Sequence, residues 1–342
     1  MPAAIQFPSW IHPEILPFFP QFPLRWYGLM YLVAFGITYL LFKYQVRERK
    51  LGFSDDDISG FFLSGILGLI IGARLFGTLL YDPTGVYWSK PWLIFWPFGE
   101  GGQFTGFMGM SFHGGLIGAI AGFALNARLH KLDFLQWGDM IAVSVPLGYT
   151  FGRLGNFINA ELWGKVSAAP WAMVFPGARR FPTSITWVRD IAERAGLAIE
   201  GTMINLPRHP SQLYEALFEG IVLWLVMWFI VRRHNPFKGF AIGAYTTGYG
   251  LVRFVIEYFR EPDADLGYII KLGDPDASIH LFTTPLNFSM GQILCFLMIA
   301  GGLGFIAIRG SIHRNQASLL AAAAAERVKI QSAKKKLRRK QG

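Results

Sequence analysis

Cysteine is almost absent from this chain: Cys295 is the single thiol among 342 residues. One thiol can form neither an internal disulfide nor a multi-thiolate metal site, which excludes a disulfide-stapled scaffold. Charge is scarce as well. Asp, Glu, Lys and Arg together make up 16%, against about 25% in an ordinary soluble domain. The histidines show no metal-ligand spacing, and no internal repeat of the inverted-repeat transporter kind is visible. The first 24 residues contain no Lys or Arg and are broken by six prolines. No charged region therefore precedes an apolar core, and no cleavable signal peptide is expected.

What is abundant is apolar surface. Hydrophobic residues supply 52% of the chain and the mean hydropathy is +0.35. Phe contributes 31 residues beside 11 Trp and 12 Tyr, an excess that suits a lipid-facing surface with aromatic belts. The net charge of +10 would point to nucleic acid if it lay across a soluble face. It does not. Arg309, Arg314, Arg327, Lys329, Lys334, Lys335, Lys336, Arg338, Arg339 and Lys340 all follow one long apolar run, so ten of the 32 basic residues sit in one tail. That pattern reads as a tail held on the cytoplasmic side of a membrane, with no nucleic acid as partner.

A helix needs roughly 20 residues to cross the hydrocarbon core. Seven stretches stand out: 26–42, 58–81, 114–127, 135–152, 213–231, 239–258 and 288–308. The second, fourth and sixth are impure, carrying Arg74, Asp139, and the pair Arg253 and Glu257. Short basic loops set the orientation. Lys43, Arg47, Arg49 and Lys50 follow the first stretch, Arg128 and Lys131 the third, Arg232, Arg233 and Lys238 the fifth, and the tail the seventh. All four clusters share one side if the N-terminus is outside. The expected fold is an all-α polytopic membrane protein with seven transmembrane helices, N-terminus outside and C-terminus inside, and a small extracytoplasmic head. The chain divides into an extracytoplasmic N-terminal segment (1–25), helices one to four (26–162), the head (163–210), helices five to seven (211–308) and a basic cytoplasmic tail (309–342).

Charge inside a bilayer is costly and marks a functional site by default. At about 1.5 Å per residue, Arg74 lies roughly 24 Å, and Arg253 roughly 21 Å, from the inner ends of their spans. Arg153 ends an outward-running span, His113 begins an inward-running one, and Tyr27 opens the first. Five polar groups from five spans thus fall at one leaflet level, as the lining of an outer-leaflet cavity. Guanidinium groups there suit a phosphate, since the planar fork meets two oxygens at once. Plainer readings exist. Arg74 can snorkel to the interface. Arg253 and Glu257, four apart, can neutralise each other. His113 can be a packing residue, as can Cys295 in mid-span. Glu215 and Glu219 read as charges at a helix N-terminus, where the dipole favours them.

The stretch GRLGNFINAELWGK at 152–165 is denser. It joins Arg153, Asn156, Asn159 and Glu161 to three glycines at the end of a hydrophobic span. Irregular backbone at that depth is tolerated only where it lines a cavity or is buried in protein. Glycines there let backbone N–H groups approach a ligand, and the two asparagines can orient donors.

With these motifs the chain resembles the bacterial prolipoprotein diacylglyceryl transferases. The resemblance runs from about 23 to 267 and again over 289–292. It rests on RWYGLMYL at 25–32, GMSFHGGLIG at 109–118, GRLGNFINAELWGK at 152–165, HPSQLYEA at 209–216, GYG at 248–250 and RFVIEYFREPD at 253–263. It implies transfer of a diacylglyceryl group from phosphatidylglycerol to the lipobox cysteine of a prolipoprotein, forming a thioether and releasing glycerol phosphate. This is the first step of lipoprotein maturation. It also implies the bacterial cytoplasmic (inner) membrane, with the active site facing the outer leaflet. The partners are then phosphatidylglycerol, the prolipoprotein signal peptide with its lipobox cysteine, and membrane lipids. No metal and no cofactor is expected.

By the same resemblance, His113, Arg153, Asn156, Glu161, Gly164, Arg253 and Glu257 occupy family functional positions, and Tyr27 and Tyr249 line the site. Catalysis is expected of His113, Arg153, Arg253 and Glu257. Substrate binding is expected of Tyr27, Arg153, Asn156, Asn159, Glu161, Gly164 and Tyr249. Arg153 would grip the lipid phosphate, and Arg253, held by Glu257, would stabilise the departing glycerol phosphate. His113 is the candidate base for the thiol, the alternative being an arginine-lined cavity that itself lowers the thiol pKa. The sequence departs from the family at Met108, where Gly is usual, over 268–288, which looks like an insertion, and in the tail. Two other classes fit part of the pattern. A transporter or flippase for an anionic lipid also needs a basic intramembrane cavity, but with access from both leaflets. A noncatalytic membrane scaffold fits the tail and leaves 152–165 unexplained.

Overall fold

The computed structural model describes residues 4–15, 25–98, 102 and 109–338. Met108 and parts of the two terminal segments, 1–3, 16–24 and 339–342, lie outside the described residues. Nine helices follow in order among those residues: α1 (Trp26–Glu48), α2 (Asp55–Leu79), the short α3 (Val86–Ser89), α4 (Phe112–Leu129), α5 (Phe134–Ile158), α6 (Thr186–Arg194), α7 (Ser211–Val231), α8 (Phe240–Ile256) and α9 (Met290–Arg338). A 3-10 turn at Pro91–Phe95 follows α3. Helices occupy all seven stretches that the sequence marks as spans. Among the described residues, α1, α2, α7 and the Met290–Gln331 part of α9 are long and apolar enough to cross a membrane, and α8 is apolar but shorter. The chain is a helical membrane protein.

Its helix starts follow from local chemistry. At α2 the Ser54 hydroxyl accepts from the Asp57 N–H at 3.1 Å while the Asp57 carboxylate accepts from the Ser54 N–H at 2.9 Å. This is a reciprocal capping box. Ser289 and Gln292 repeat it at α9, at 3.3 and 3.0 Å.

The chain forms two compact units, Tyr39–Gly138, and Met1–Thr38 with Asp139–Gly342. Within Tyr39–Gly138, α2 and α4 meet backbone to backbone. A methyl at Gly68 would overlap the Gly118 carbonyl, and one at Gly72 the Gly114 carbonyl. Small residues at four-residue spacing allow such close approach between membrane helices. Nearby, Phe61 packs on Phe123 and Trp137 with ring centroids 4.5 and 4.6 Å away. Arg74 does not snorkel. It is buried, and its guanidinium donates to the main-chain carbonyls of Leu93 and Ile94, so it anchors the Pro91–Phe95 turn.

In the other unit, Ala142 and Val143 of α5 pack with Leu223 and Met227 of α7 and Ala241 of α8. Asp139 of α5 accepts from the N–H groups of Gly239 and Ile242 at 2.8 and 3.0 Å. The charge that makes the fourth stretch impure is therefore a cap for α8, placed at the positive end of its dipole. α7 is wound with wider π-type turns over Glu215–Val222 and Met227–Val231, a feature that often marks functional segments.

Among the described residues, three two-stranded sheets belong to this unit. β1 (Ile5–Gln6) pairs in parallel with β2 (Met173–Val174). β3 (Arg180–Pro182) pairs antiparallel with β4 (Met203–Asn205), and β5 (Tyr268–Lys271) antiparallel with β6 (Asn287–Ser289). α6 lays Val188 and Ala192 on Phe181, Ile204 and Leu206, giving residues 166–206 a small core of their own. The 268–288 stretch is a hairpin whose second strand leads straight into α9.

Candidate active site

α5 ends in a tight reversal. The N–H of Ala160 bonds to the Phe157 carbonyl at 2.9 Å and that of Glu161 to the Asn156 carbonyl at 3.1 Å, the two bonds of a Schellman cap. Such a cap favours Gly at its left-handed position, but here Ala160 (φ 51°) holds it, and Leu162 (φ 56°) is left-handed too. The start of α7 secures this loop: Gln212 donates to the Glu161 carbonyl at 2.5 Å and Ser211 to the Leu162 carbonyl at 3.0 Å. The motifs at 152–165 and 209–216 therefore form one structural element.

Above the loop, α5 presents Tyr149, Arg153 and Asn156 at helical spacing on one face. α7 presents Glu215 and Glu219, and the end of α8 presents Tyr249, Arg253, Glu257 and Arg260. These side chains form one network. Glu215 Oε2 lies 2.7 Å from Arg153 Nε, and Glu215 Oε1 lies 3.0 Å from Arg253 Nη1 and 2.8 Å from Arg260 Nη1. Glu219 stands 3.6 Å from Arg253 and accepts from the Tyr149 hydroxyl at 2.5 Å. Glu257 meets Arg253 at 3.1 Å and Arg260 at 3.5 Å, and accepts from the Ser289 hydroxyl at 3.1 Å. Side-chain exposure sorts the six charges into layers. The carboxylates of Glu215, Glu219 and Glu257 keep 1, 0 and 7%, while Arg153, Arg253 and Arg260 keep 18, 15 and 17%. Three buried anions support three cations that are only partly buried.

The remaining expected residues take definite places. Asn156 donates to Glu161 at 2.8 Å and accepts from Arg153 Nη1 at 3.3 Å. Asn159 donates to the same Glu161 oxygen at 3.4 Å. Tyr27 packs on Gly155 and bonds Tyr31 through the hydroxyls at 3.0 Å. Tyr249 sets its hydroxyl 3.5 Å from that of Tyr149. Gly164 is used for close backbone approach: a methyl there would overlap the Phe259 carbonyl. His113 belongs to the other unit, exposed in the first turn of α4 beside Phe112. Glu215, Glu219 and Arg260, which the sequence reading left outside the site, prove central to the network. Arg260 lies in the motif at 253–263, at helical spacing from Arg253 and Glu257, and Glu215 in the motif at 209–216; Glu219 carries no signal beyond its four-residue separation from Glu215. Among the described residues no three His, Cys, Asp or Glu side chains gather as a metal site.

Behind the α8 terminus lies a second buried polar group. Arg208, fully buried, pairs with Glu261, which also bonds His280 at 2.8 Å. Burial opposes the Glu261 carboxylate, but the bonds from His280 and Arg208 outweigh it and hold its pKa below the usual value. Lys165 donates to the Tyr258 carbonyl at 3.0 Å, and burial pushes its ammonium down to about 8. Burial, with the charge of Lys165, takes His209 down to about 4.

The family model described as prolipoprotein diacylglyceryl transferase matches residues 13–308, a span that contains the whole network. The chain belongs to the prolipoprotein diacylglyceryl transferase family. Similar members include the phosphatidylglycerol–prolipoprotein diacylglyceryl transferase of Treponema denticola, 54% identical over 322 residues, covering 89% of this chain and 94% of the relative. The Treponema pallidum protein of the same name is 50% identical over 325 residues, covering 91% and 97%. The one from Chlorobaculum tepidum is 45% identical over 308 residues, covering 87% and 90%. Of the family's matched span, the basic tail from Arg309 onward is no part.

Proposed function

We propose that the chain is a transferase of lipoprotein biogenesis that moves the diacylglyceryl group of phosphatidylglycerol onto prolipoproteins. Family membership supports this, and the observation that carries it is the fan of Arg153, Arg253 and Arg260 around the buried Glu215. Three unpaired guanidiniums in so dry a place would be prohibitive, and the carboxylates compensate them. The arginines still keep part of their side chains exposed, and guanidinium donors suit a phosphate.

The acceptor in this reading is the lipobox cysteine of the prolipoprotein signal peptide. Its sulfur attacks the glyceryl carbon that bears the phosphate oxygen. The carbon–oxygen bond breaks, its electron pair leaves with glycerol phosphate, and a thioether remains. The thiol proton goes to a base, for which His113 is the candidate. Arg153 grips the phosphate, with Asn156, Asn159 and Glu161 shaping the loop beside it, Tyr27 and Tyr249 completing the site, and Gly164 letting that loop close on the backbone of Phe259. Arg253, braced by Glu257, meets the second negative charge that grows on the phosphate as the bond breaks, where fixed donors in a dry site act most strongly. The chain sits in the bacterial cytoplasmic membrane with seven spanning helices, N-terminus outside and C-terminus inside, and the site opens to the outer leaflet.

The test is release of glycerol phosphate by the purified protein in phosphatidylglycerol vesicles. Release should require a lipobox peptide with a free thiol. Thiol-independent release, or movement of the lipid between leaflets without release, would favour a lipase or a flippase instead.

A further inference from the structure

We infer that Tyr149 is a positioning residue for the transfer reaction, holding the guanidinium of Arg153 in the orientation that offers its outer edge to the phosphate. The inference rests on the reading that Arg153 grips the lipid phosphate. Tyr149 lies one helical turn before Arg153, so the two share a face of α5. Its hydroxyl accepts from Arg153 Nε at 2.6 Å and donates to Glu219 Oε2 at 2.5 Å. A phenol has one proton to give. With that proton committed to Glu219, the oxygen must face the Nε–H of Arg153 with a lone pair, and the polarity of the chain Arg153–Tyr149–Glu219 is fixed.

The consequence for Arg153 is geometric. Its single Nε–H, on the stem side of the fork, is taken by Tyr149, and Glu215 Oε2 stands 2.7 Å from the same nitrogen as its counter-charge. The guanidinium carbon also lies over the Tyr149 ring, 4.8 Å from its centre. The ring is itself set edge-on against Tyr249, with centroids 5.9 Å apart. What remains free to turn toward a ligand is the Nη edge, where Nη1 meets Asn156 Oδ1 at 3.3 Å. A guanidinium pinned at Nε and set over a ring is restricted in how it approaches a phosphate, which is what a fixed donor needs if it is to follow the charge of the transition state. Phenylalanine at this position would keep the ring, the stacking and the shape but lose the oxygen.

The experiment is a double-mutant cycle. Turnover and KM for phosphatidylglycerol are measured in vesicles, at equal folded concentration, for the wild type, Tyr149→Phe, Arg153→Lys and the double variant. Tyr149→Phe should lower kcat about tenfold, in keeping with a lost hydrogen bond to a charged group, with KM changed less than about twofold. In the Arg153→Lys background the same substitution should cost nothing further, since the hydroxyl acts through Nε and lysine has none. Independent, multiplying losses would overturn the inference, as would a Tyr149→Phe protein of normal turnover. If Arg153→Lys is impaired and Tyr149→Phe is not, only the positioning role falls. If Arg153→Lys is itself near normal, the phosphate reading falls and the inference with it. Should Tyr149→Phe melt below the assay temperature, 3-fluorotyrosine at position 149 keeps the shape and makes the oxygen a poorer acceptor; reduced turnover is then expected, and unchanged turnover would overturn the inference.

Discussion

Glu215 backs Arg153 from the buried side of the network, its Oε2 2.7 Å from the guanidinium Nε. The other oxygen of the same carboxylate serves both Arg253 and Arg260. One anion thus fixes three cations drawn from α5 and the end of α8. Glu215→Gln keeps the volume but leaves those cations short of a counter-charge. Removing one partner from a buried ionic group costs about 3–5 kcal/mol, so a lower melting temperature in detergent is expected, with turnover reduced at least about a hundredfold. A variant that melts and turns over normally would show that the carboxylate is not the support described.

For Arg153 the comparison is with lysine. Arg153→Lys preserves the charge and loses the fork that can meet two oxygens. The loss of one charge-assisted bond, about 1.5–3 kcal/mol, predicts at least a tenfold fall in turnover. Arg153→Ala should be worse. A residue that only snorkels at a helix end would accept lysine with little change, so the rate of the lysine variant separates the two roles.

Ala160 holds the left-handed cap of α5 at φ 51°. For a residue with a Cβ that conformation costs roughly 1–2 kcal/mol, part of which glycine returns as unfolded-state entropy. Ala160→Gly should therefore raise stability by up to about 1 kcal/mol, read as a higher melting temperature. An unchanged or lower value would mean that the neighbouring bonds from Gln212 and Ser211 already offset the strain.

His209 makes the fold acid-sensitive. Its pKa is 6.5 when unperturbed and about 4 when buried here. Between those values the unfolded chain binds the proton and the folded chain does not, so stability falls as the pH drops from about 6.5 toward 4. The shift sets an upper limit of about 3 kcal/mol on the loss. Melting curves at pH 7, 5.5 and 4.5 should show the decline, and His209→Asn should flatten it. An equally steep decline in that variant would assign the sensitivity to groups other than His209.

Much of the architecture is legible in the sequence because apolar runs and their interruptions are local features. The helices at all seven stretches follow from them, and so does the density of chemistry at 152–165. What escapes is pairing across the fold. Glu215 and Glu219 sit four apart at the start of an apolar run, which is how helix-terminal charges look, and their arginine partners lie far along the chain. Asp139 reads as an impurity in a span because the helix terminus that it caps belongs to α8. Arg74 is recognisable as a buried charge, but its carbonyl partners lie in a turn with no sequence signature. Gly164 shows the reverse: its motif suggests a ligand, whereas the backbone of Phe259 fills the space beside it.

The most direct measurement is the mass of a lipobox peptide after incubation with the purified protein and phosphatidylglycerol vesicles. The account predicts a gain of one diacylglyceryl group on the cysteine sulfur, matched one to one by released glycerol phosphate, and no gain when the peptide carries serine in place of that cysteine. A cysteine peptide of unchanged mass, with folded protein and intact lipid present, would contradict it.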